Sequence, residues 1–487
     1  MDKESVSTGI GGLNTSKEEL KENAYFDGFN DTELEVSSVR GHTCYYRPVT
    51  TSDKRYQFLI PPDPDKFIDP ASFRIKGKVR IRKRNAAGQL IDLVEADEVS
   101  TCNNTIQACF ERVNFTLDGT LFGDSTGGWY RYKSMIELLL SYSHNGKKRA
   151  LKHKLWHEDE AGQHDALATA AVQPQPGPPV VAAAARVAST NSGYETRRNL
   201  FHKSKWVYFR VPIHSDICTM KSHIPPDVKI EVDFCRSETN FVLLTPDRNT
   251  HFEIIFEDLQ LVCVKQEHTA EIRKFYFDNL KRGKKYRARI DRSIFKEYTM
   301  AQGQFNLSTY NLIRGEEMPG QMILFMIRET AHFGDRGQNP YKFDHYKMDE
   351  CSFLYNGIHE PLEKVTMDVG YTDANNAWQL TSDNHVRGDC VDCYQHFRDN
   401  IGLKDSDEEN GIGMSEFFQG NFFVPNDRSP EKCNRYHDHY HPGGVMGINL
   451  HVKTALPHNV RVLVYSTYGT EIIFDQGVVH KNEKIEI

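Results

Sequence analysis

From Phe73 to Ile81 the odd positions hold Phe, Ile, Gly, Val and Ile, while Arg74, Lys76, Lys78, Arg80 and Arg82 occupy the even ones. Alternation with period two sends successive side chains to opposite faces, so this segment reads as a half-buried strand. Val228 to Phe234 alternates in the same way, and so does the run carrying Leu259, Leu261 and Cys263. Val113 to Leu117 stops at Asp118-Gly119, and Cys351 to Tyr355 stops at Asn356-Gly357. Both dipeptides tolerate positive φ, which a tight hairpin turn requires. Further strands are expected at Lys205–Ile213, Ile254–Phe256, Tyr286–Ile290, Met322–Ile327, Val365–Val369, Ile448–Val452, Arg461–Tyr468 and Glu471–Phe474, with structure starting near Tyr45.

Helical periodicity is confined to short pieces. The clearest places Tyr132, Met135, Ile136, Leu139 and Leu140 on one face, with Asn145-Gly146 expected as its C-terminal cap. A second short helix is expected at Thr269–Lys281, where the strand pattern breaks. These patterns predict an all-β chain with short helices in the loops. They divide it into an N-terminal arm at 1–35, a first β domain at 36–267 and a second at 268–487. The arm is rich in Ser, Thr, Gly, Asn and Glu and reads as mobile. Pro and Ala crowd the stretch from Ala168 to Ala188, which marks an exposed insertion at 163–192 in the first domain. No fixed period signals a solenoid, and the two halves show no evident likeness.

Composition narrows the class. The 487 residues are 39% hydrophobic, enough to bury a core, and 60 Lys and Arg against 67 Asp and Glu leave a net charge of -7. A mildly acidic surface is not built to wrap nucleic acid everywhere, so any such contact has to be local. The start, Met1-Asp2-Lys3-Glu4-Ser5, lacks the apolar stretch of a secretory signal, and no run approaches the ~18 apolar residues of a spanning helix. Eight of the ten cysteines are scattered singly, and only Cys390 and Cys393 sit close together, which does not resemble a disulfide framework. The expectation is a soluble protein with reduced thiols, without a membrane anchor, assembled inside a cell.

Three clusters carry candidate chemistry. Cys390-Val-Asp-Cys393 with His396, followed by Cys433, His437, His439 and His441, has a zinc half-site spacing, yet no second Cys-x2-Cys completes it. A loop whose Cys and His fell together by composition is the preferred reading. Basic residues gather at Arg273, Lys274, Lys281, Arg282, Lys284, Lys285, Arg287, Arg289, Arg292 and Lys296, and again from Arg74 to Arg82. Either stretch could face a polyanion, but a solvated or subunit-bridging face is preferred. Gly9-Ile-Gly-Gly12 lacks the Lys-Ser/Thr of a phosphate loop, and no nucleophile elbow, HExxH or dinucleotide fingerprint occurs. No catalytic, cofactor-binding or metal residue is therefore assigned, and no cofactor is expected.

Order along the chain is more specific. Val113-Asn-Phe-Thr-Leu-Asp-Gly119 followed by Trp129-Tyr-Arg-Tyr-Lys-Ser-Met-Ile-Glu-Leu-Leu-Leu-Ser-Tyr142 resembles the strand, turn and helix segment of major capsid proteins of Maverick/Polinton elements and adintoviruses. Leu155-Trp156 with Asp159 and Ala161-Gly162, then Arg197-Arg-Asn-Leu-Phe201, look like the segments that follow. Phe343-Asp-His-Tyr346 before Phe353-Leu-Tyr-Asn-Gly357, and Thr454-Ala-Leu-Pro457 through Val462-Leu-Val-Tyr465 to Glu471-Ile-Ile-Phe474, fit its second half. The likeness spans about 105–475, and the Ala/Pro loop and the Cys/His segment stand outside it.

The resemblance implies a double jelly-roll, two eight-stranded antiparallel sandwiches in one chain. It also implies a structural protein of the virion capsid: a homotrimer forming pseudo-hexameric capsomers that contact neighbouring capsomers and a penton or minor capsid protein. Such capsomers tile an icosahedral shell around double-stranded DNA, with non-specific DNA contact through the arm or residues 273–296. Two other classes stay open: a zinc-dependent hydrolase using His437, His439 and His441, and a ligand-binding module on a β-sandwich.

Overall fold

The alternating runs become strands in the computed structural model, which describes residues 38–123, 127–168, 186–367, 390–403, 410–432, 439–475, 477–482 and 485–486. The arm at 1–35 and the centre of the insertion, 169–185, lie outside the described residues.

Eight principal strands build the first half: Ser38–Tyr46, Arg55–Ile60, Lys66–Arg84, Phe110–Leu117, Thr120–Phe122, Val207–Pro212, Ile230–Arg236 and Phe252–His268. Counted in chain order, they pair as 1-8-3-6 in one sheet and 2-7-4-5 in the other. The second half repeats this winding with Tyr286–Met300, Asn306–Glu317, Gln321–Arg328, Met348–Tyr355, Ile358–Thr366, Val424–Asp427, Pro442–Val452 and Val460–Asp475. Two facing antiparallel sheets wound in this order are a jelly-roll, so the chain is a double jelly-roll. The halves share their topology although their sequences show no evident likeness.

Each sandwich closes on the faces that the alternation defines. Phe73, Ile75, Val79 and Ile81 are buried on one long strand, and Phe58, Ile60, Ile230, Val232 and Phe234 face them from the opposite sheet. Gly77 interrupts that row because a Cβ there would lie 2.9 Å from Leu259 and 3.2 Å from Phe209. Both hairpins form as expected, with φ of 45° and 85° at Asp118-Gly119 and 50° and 82° at Asn356-Gly357.

Several boundaries differ from the sequence reading. The first strand starts at Ser38, ahead of Tyr45, because its backbone is held against His268–Leu261 while its early side chains stay exposed. The strands Arg55–Ile60 and Asn306–Glu317 were not expected, although Tyr56, Phe58 and Ile60 do alternate. Arg461–Tyr468 and Glu471–Phe474 form one strand, since Gly469 and Thr470 stay paired with Asp291 and Ile290. The continuation of Val365–Val369 past Met367 lies outside the described residues.

The helix Tyr130–Ser141 buries Tyr132, Met135, Ile136 and Leu139 as expected. Its end corrects the expected cap: the chain is already extended at Tyr142, and Asn145-Gly146 lies inside a second helix, His144–Arg149. Ser143 starts that helix, its Oγ accepting a hydrogen bond from the Gly146 N–H at 3.1 Å.

Candidate functional site

The helix Tyr130–Ser141 meets both sandwiches along a shared seam. Tyr132 stacks on His332 with ring centroids 5.6 Å apart and packs edge-on against Tyr341. Burial, with the Arg131 and Arg461 guanidiniums adding to it, pushes the His332 imidazole down to about 3. The ring is therefore neutral, and its Nδ1 lies 3.0 Å from the Tyr132 hydroxyl.

One position along, Lys133 crosses the seam. Its ammonium donates to Asp216 and, at 3.1 Å, to Ser293. Asp216 also accepts from the Ser293 hydroxyl at 2.7 Å and has the Arg292 guanidinium 3.7 Å away. Four residues further, Glu137 lies 2.7 Å from His214 and accepts from the Tyr465 hydroxyl at 3.4 Å. Burial alone would discharge this cluster. Instead, Asp216 and Glu137 outweigh burial at Lys133 and hold its ammonium above the usual lysine range, while Lys133 and Arg292 outweigh burial at Asp216 and hold its carboxyl below the ordinary value. The two jelly-rolls are thus joined by a buried, charged network as well as by apolar packing.

A second network centres on Arg197. Arg197 is wholly buried, pairs with Asp159, and donates to the Thr101 carbonyl at 2.6 Å. Asp159 accepts from Asn191 and, across the seam, from Asn339, each at 2.8 Å. Arg198 pairs with Glu98 at 2.8 Å. The ends of the expected insertion belong to this packed body: His164, Ala168 and Asn191 are buried, and Ser189 Oγ donates to the Ala166 carbonyl at 2.6 Å.

Other sequence candidates are dispersed. Cys390 and Cys393 are buried one turn apart on the helix Cys390–Asn400, and His396 Nε2 lies 2.8 Å from the Pro425 carbonyl. Cys433 and His437 lie outside the described residues, and no group of three metal-binding side chains converges among the described ones. His439 and His441 line a cleft at the seam. The basic stretch at 273–296 divides: Arg292 is buried in the seam, Arg273 pairs with Asp65 at 2.9 Å, and Lys285 with Asp475 at 2.9 Å. From Arg74 to Arg82, Lys78 pairs with Glu257 at 2.9 Å and Arg82 with Asp92 at 2.8 Å, so carboxylates of adjoining strands neutralise much of that row.

The helix Ala270–Lys281 stands apart, because it buries no residue. Phe275 is 69% exposed, and together with Ile272, Tyr276, Phe67 and Tyr286 it lines a groove of about 460 Å³. Tyr208, Tyr310, Phe333 and Ile358 are further large apolar side chains facing outward.

Whole-chain similarity follows this architecture. A chain in the cryo-EM structure of the Sputnik virophage superposes with a TM-score of 0.52 at 10% identity, covering 100% of this chain and 96% of that one. A chain of the PBCV-1 virus capsid gives 0.52 at 8% identity, covering 93% and 99%. The Faustovirus major capsid protein gives 0.50 at 10% identity, covering 92% of each. The chain has the fold of viral major capsid proteins. No protein-family profile and no curated sequence matches it.

Sequence reasoning missed the seam. Lys133 and Glu137 did leave a signal, two charges four residues apart on the face that also carries Tyr132 and Met135. Asp216, Arg292 and Asn339 left none, because their partners are far away in the chain.

Proposed function

We propose that this chain is a major capsid protein, a structural component of a virion without catalytic activity or cofactor. Three copies form a pseudo-hexameric capsomer, and capsomers together with a penton or minor capsid protein tile an icosahedral shell around double-stranded DNA. The observation that carries this reading is the repeat of the 1-8-3-6 and 2-7-4-5 winding in both halves of one chain. Two similar blocks fixed side by side let three chains present six blocks to a hexagonal lattice position, with closed symmetry inside the trimer.

The outward apolar residues support the same reading. Obligate interfaces bury upwards of ~2,000 Å² and are enriched in aromatic side chains at their centres. Phe275 with Ile272, Tyr310 and Phe333 supply such anchors, and we assign them to subunit contacts. In this reading the domains run 36–267 and 268–487, preceded by the arm at 1–35, and the resemblance of the segments from Val113 to Phe474 supports a relation to the Maverick/Polinton and adintovirus capsid proteins. Pairing of the basic rows with carboxylates leaves DNA contact local and non-specific.

Negative-stain images of the purified full chain test the proposal. Trimers of hexagonal outline, or closed shells, are expected. Monomers under every condition of salt, pH and concentration would overturn it.

A further inference from the structure

The outer face of the first sheet carries a basic and aromatic surface that neither the core nor the seam uses. On the strand Lys66–Arg84, Lys76, Lys78 and Arg80 alternate with the buried Ile75, Val79 and Ile81 and so point away from the core. The neighbouring strand Val207–Pro212 sets Arg210 directly opposite Lys76 and Tyr208 opposite Lys78. Residues opposite one another in an antiparallel pair share a face, so these side chains form one surface. Tyr208 is 74% exposed, and Tyr45, on the strand Ser38–Tyr46, is 52% exposed. Lys76 Nζ lies 5.3 Å from the centre of the Tyr45 ring, and Lys78 and Arg80 lie 4.9 and 4.2 Å from that of Trp206. Arg47, Lys76, Lys78 and Tyr208 also line an open hollow of about 710 Å³, together with Phe256 and Leu259.

The carboxylates on this surface are already engaged. Glu257 and Asp258 both hold Lys78, and Asp92 holds Arg82 at 2.8 Å with Arg80 3.8 Å away. Among the described residues no carboxylate pairs with Arg47, Lys76 or Arg210, and all three are exposed. Like charges directly opposite each other weaken a sheet, so Lys76 beside Arg210 destabilises this one unless an anion lies across the two strands. We propose that this face binds single-stranded nucleic acid, with Tyr208 and Tyr45 stacking on bases and Lys76, Arg210 and Arg47 taking the phosphates. Exposed rings on a sheet suit a single strand, whose splayed bases offer a free π-face, whereas a duplex keeps its bases stacked inside. A second copy of the chain fits this face less well. The centre of a protein interface is depleted in Lys, and burying unpaired cations there is costly, while a phosphate backbone supplies each of them with a counter-charge.

This binding is separate from shell building and does not rest on the capsid reading. Fluorescence anisotropy tests it with the purified full chain, a labelled oligothymidylate of about 20 nucleotides and a duplex of the same length, over a series of salt concentrations. The single strand is expected to bind at least tenfold tighter than the duplex at equal salt. Its affinity should fall as salt rises, with a logarithmic slope of about 0.7 for each phosphate neutralised. Tyr208→Ala is expected to weaken binding at least tenfold, and Tyr208→Phe to keep the natural affinity, because the ring and not the hydroxyl makes the stack. Replacing Lys76 and Arg210 together by Ala should lower the salt slope by about 1.4, two phosphates' worth. Absence of binding, a duplex held as tightly as the single strand, or an affinity that neither Tyr208→Ala nor the double variant changes overturns the proposal. So do variants that weaken self-association in analytical ultracentrifugation while leaving oligothymidylate binding intact, since the face then serves a second copy.

Discussion

At the scale of single residues, the charges buried between segments matter most. Arg197 has no exposed surface, and its partner Asp159 is held below the ordinary carboxylate range because the Arg197 charge outweighs burial. Removing one member of such a pair strands the other in a low-dielectric site, so Arg197→Ala is expected to cost about 3–5 kcal/mol of unfolding free energy in urea denaturation. Asp216 adds a dependence on pH. Its folded-state value is depressed below the ordinary 3.8, because Lys133 and Arg292 outweigh burial, so its stabilisation is complete above the unfolded value and is lost as pH falls through the lower folded value. Thermal stability is expected to fall from about pH 5 downward, and Asp216→Asn to be less stable at neutral pH with a shallower fall in acid. Parallel curves for the two proteins would show that the seam charges do not carry this dependence.

At the scale of elements, the hairpins were legible because their requirement is local. Asp118-Gly119 and Asn356-Gly357 adopt left-handed backbone whatever packs around them, and the residue types alone say so. A Cβ at Gly357 meets no neighbour within 4 Å, so Gly357→Ala reports the conformational cost alone, about 1–2 kcal/mol in equilibrium unfolding. Asn145-Gly146 misled for the opposite reason. The dipeptide suits a helix end, but Ser143 caps a new helix just ahead of it, and that competing hydrogen bond decides the outcome. The helix Ala270–Lys281 was legible as a helix, whereas its lack of any buried residue was not. Phe275→Ser is expected to leave monomer stability within about 0.5 kcal/mol. Its effect should fall on association, as at least a tenfold weaker trimer in analytical ultracentrifugation; unchanged association would remove this face from the subunit contacts.

At the scale of the whole molecule, the two jelly-rolls behave as one body only if the seam holds. Lys133 joins Asp216 of the first half to Ser293 of the second, and Asn339 reaches Asp159 across the same boundary. Lys133→Ala is expected to uncouple the halves, so that calorimetry resolves two transitions where the natural chain gives one. A single transition in the variant would mean that apolar packing alone couples them.

The sequence by itself determined which faces of the strands are buried, where the tightest turns fall and that the chain is all-β. These properties arise from side-chain alternation and backbone sterics acting over a few residues. The order of segments also pointed to a double jelly-roll. Only the tertiary structure decided that both halves wind identically, that Lys133 and Asp216 meet between them, that His396 reaches the Pro425 carbonyl, and that Lys147 reaches the Asn410 main-chain carbonyl. Each is a pairing of residues distant in the chain, and nothing in the local pattern around either partner specifies the other. Folding supplies the specification by bringing the two into one space from which water is excluded, where a charge or an amide has to find a partner.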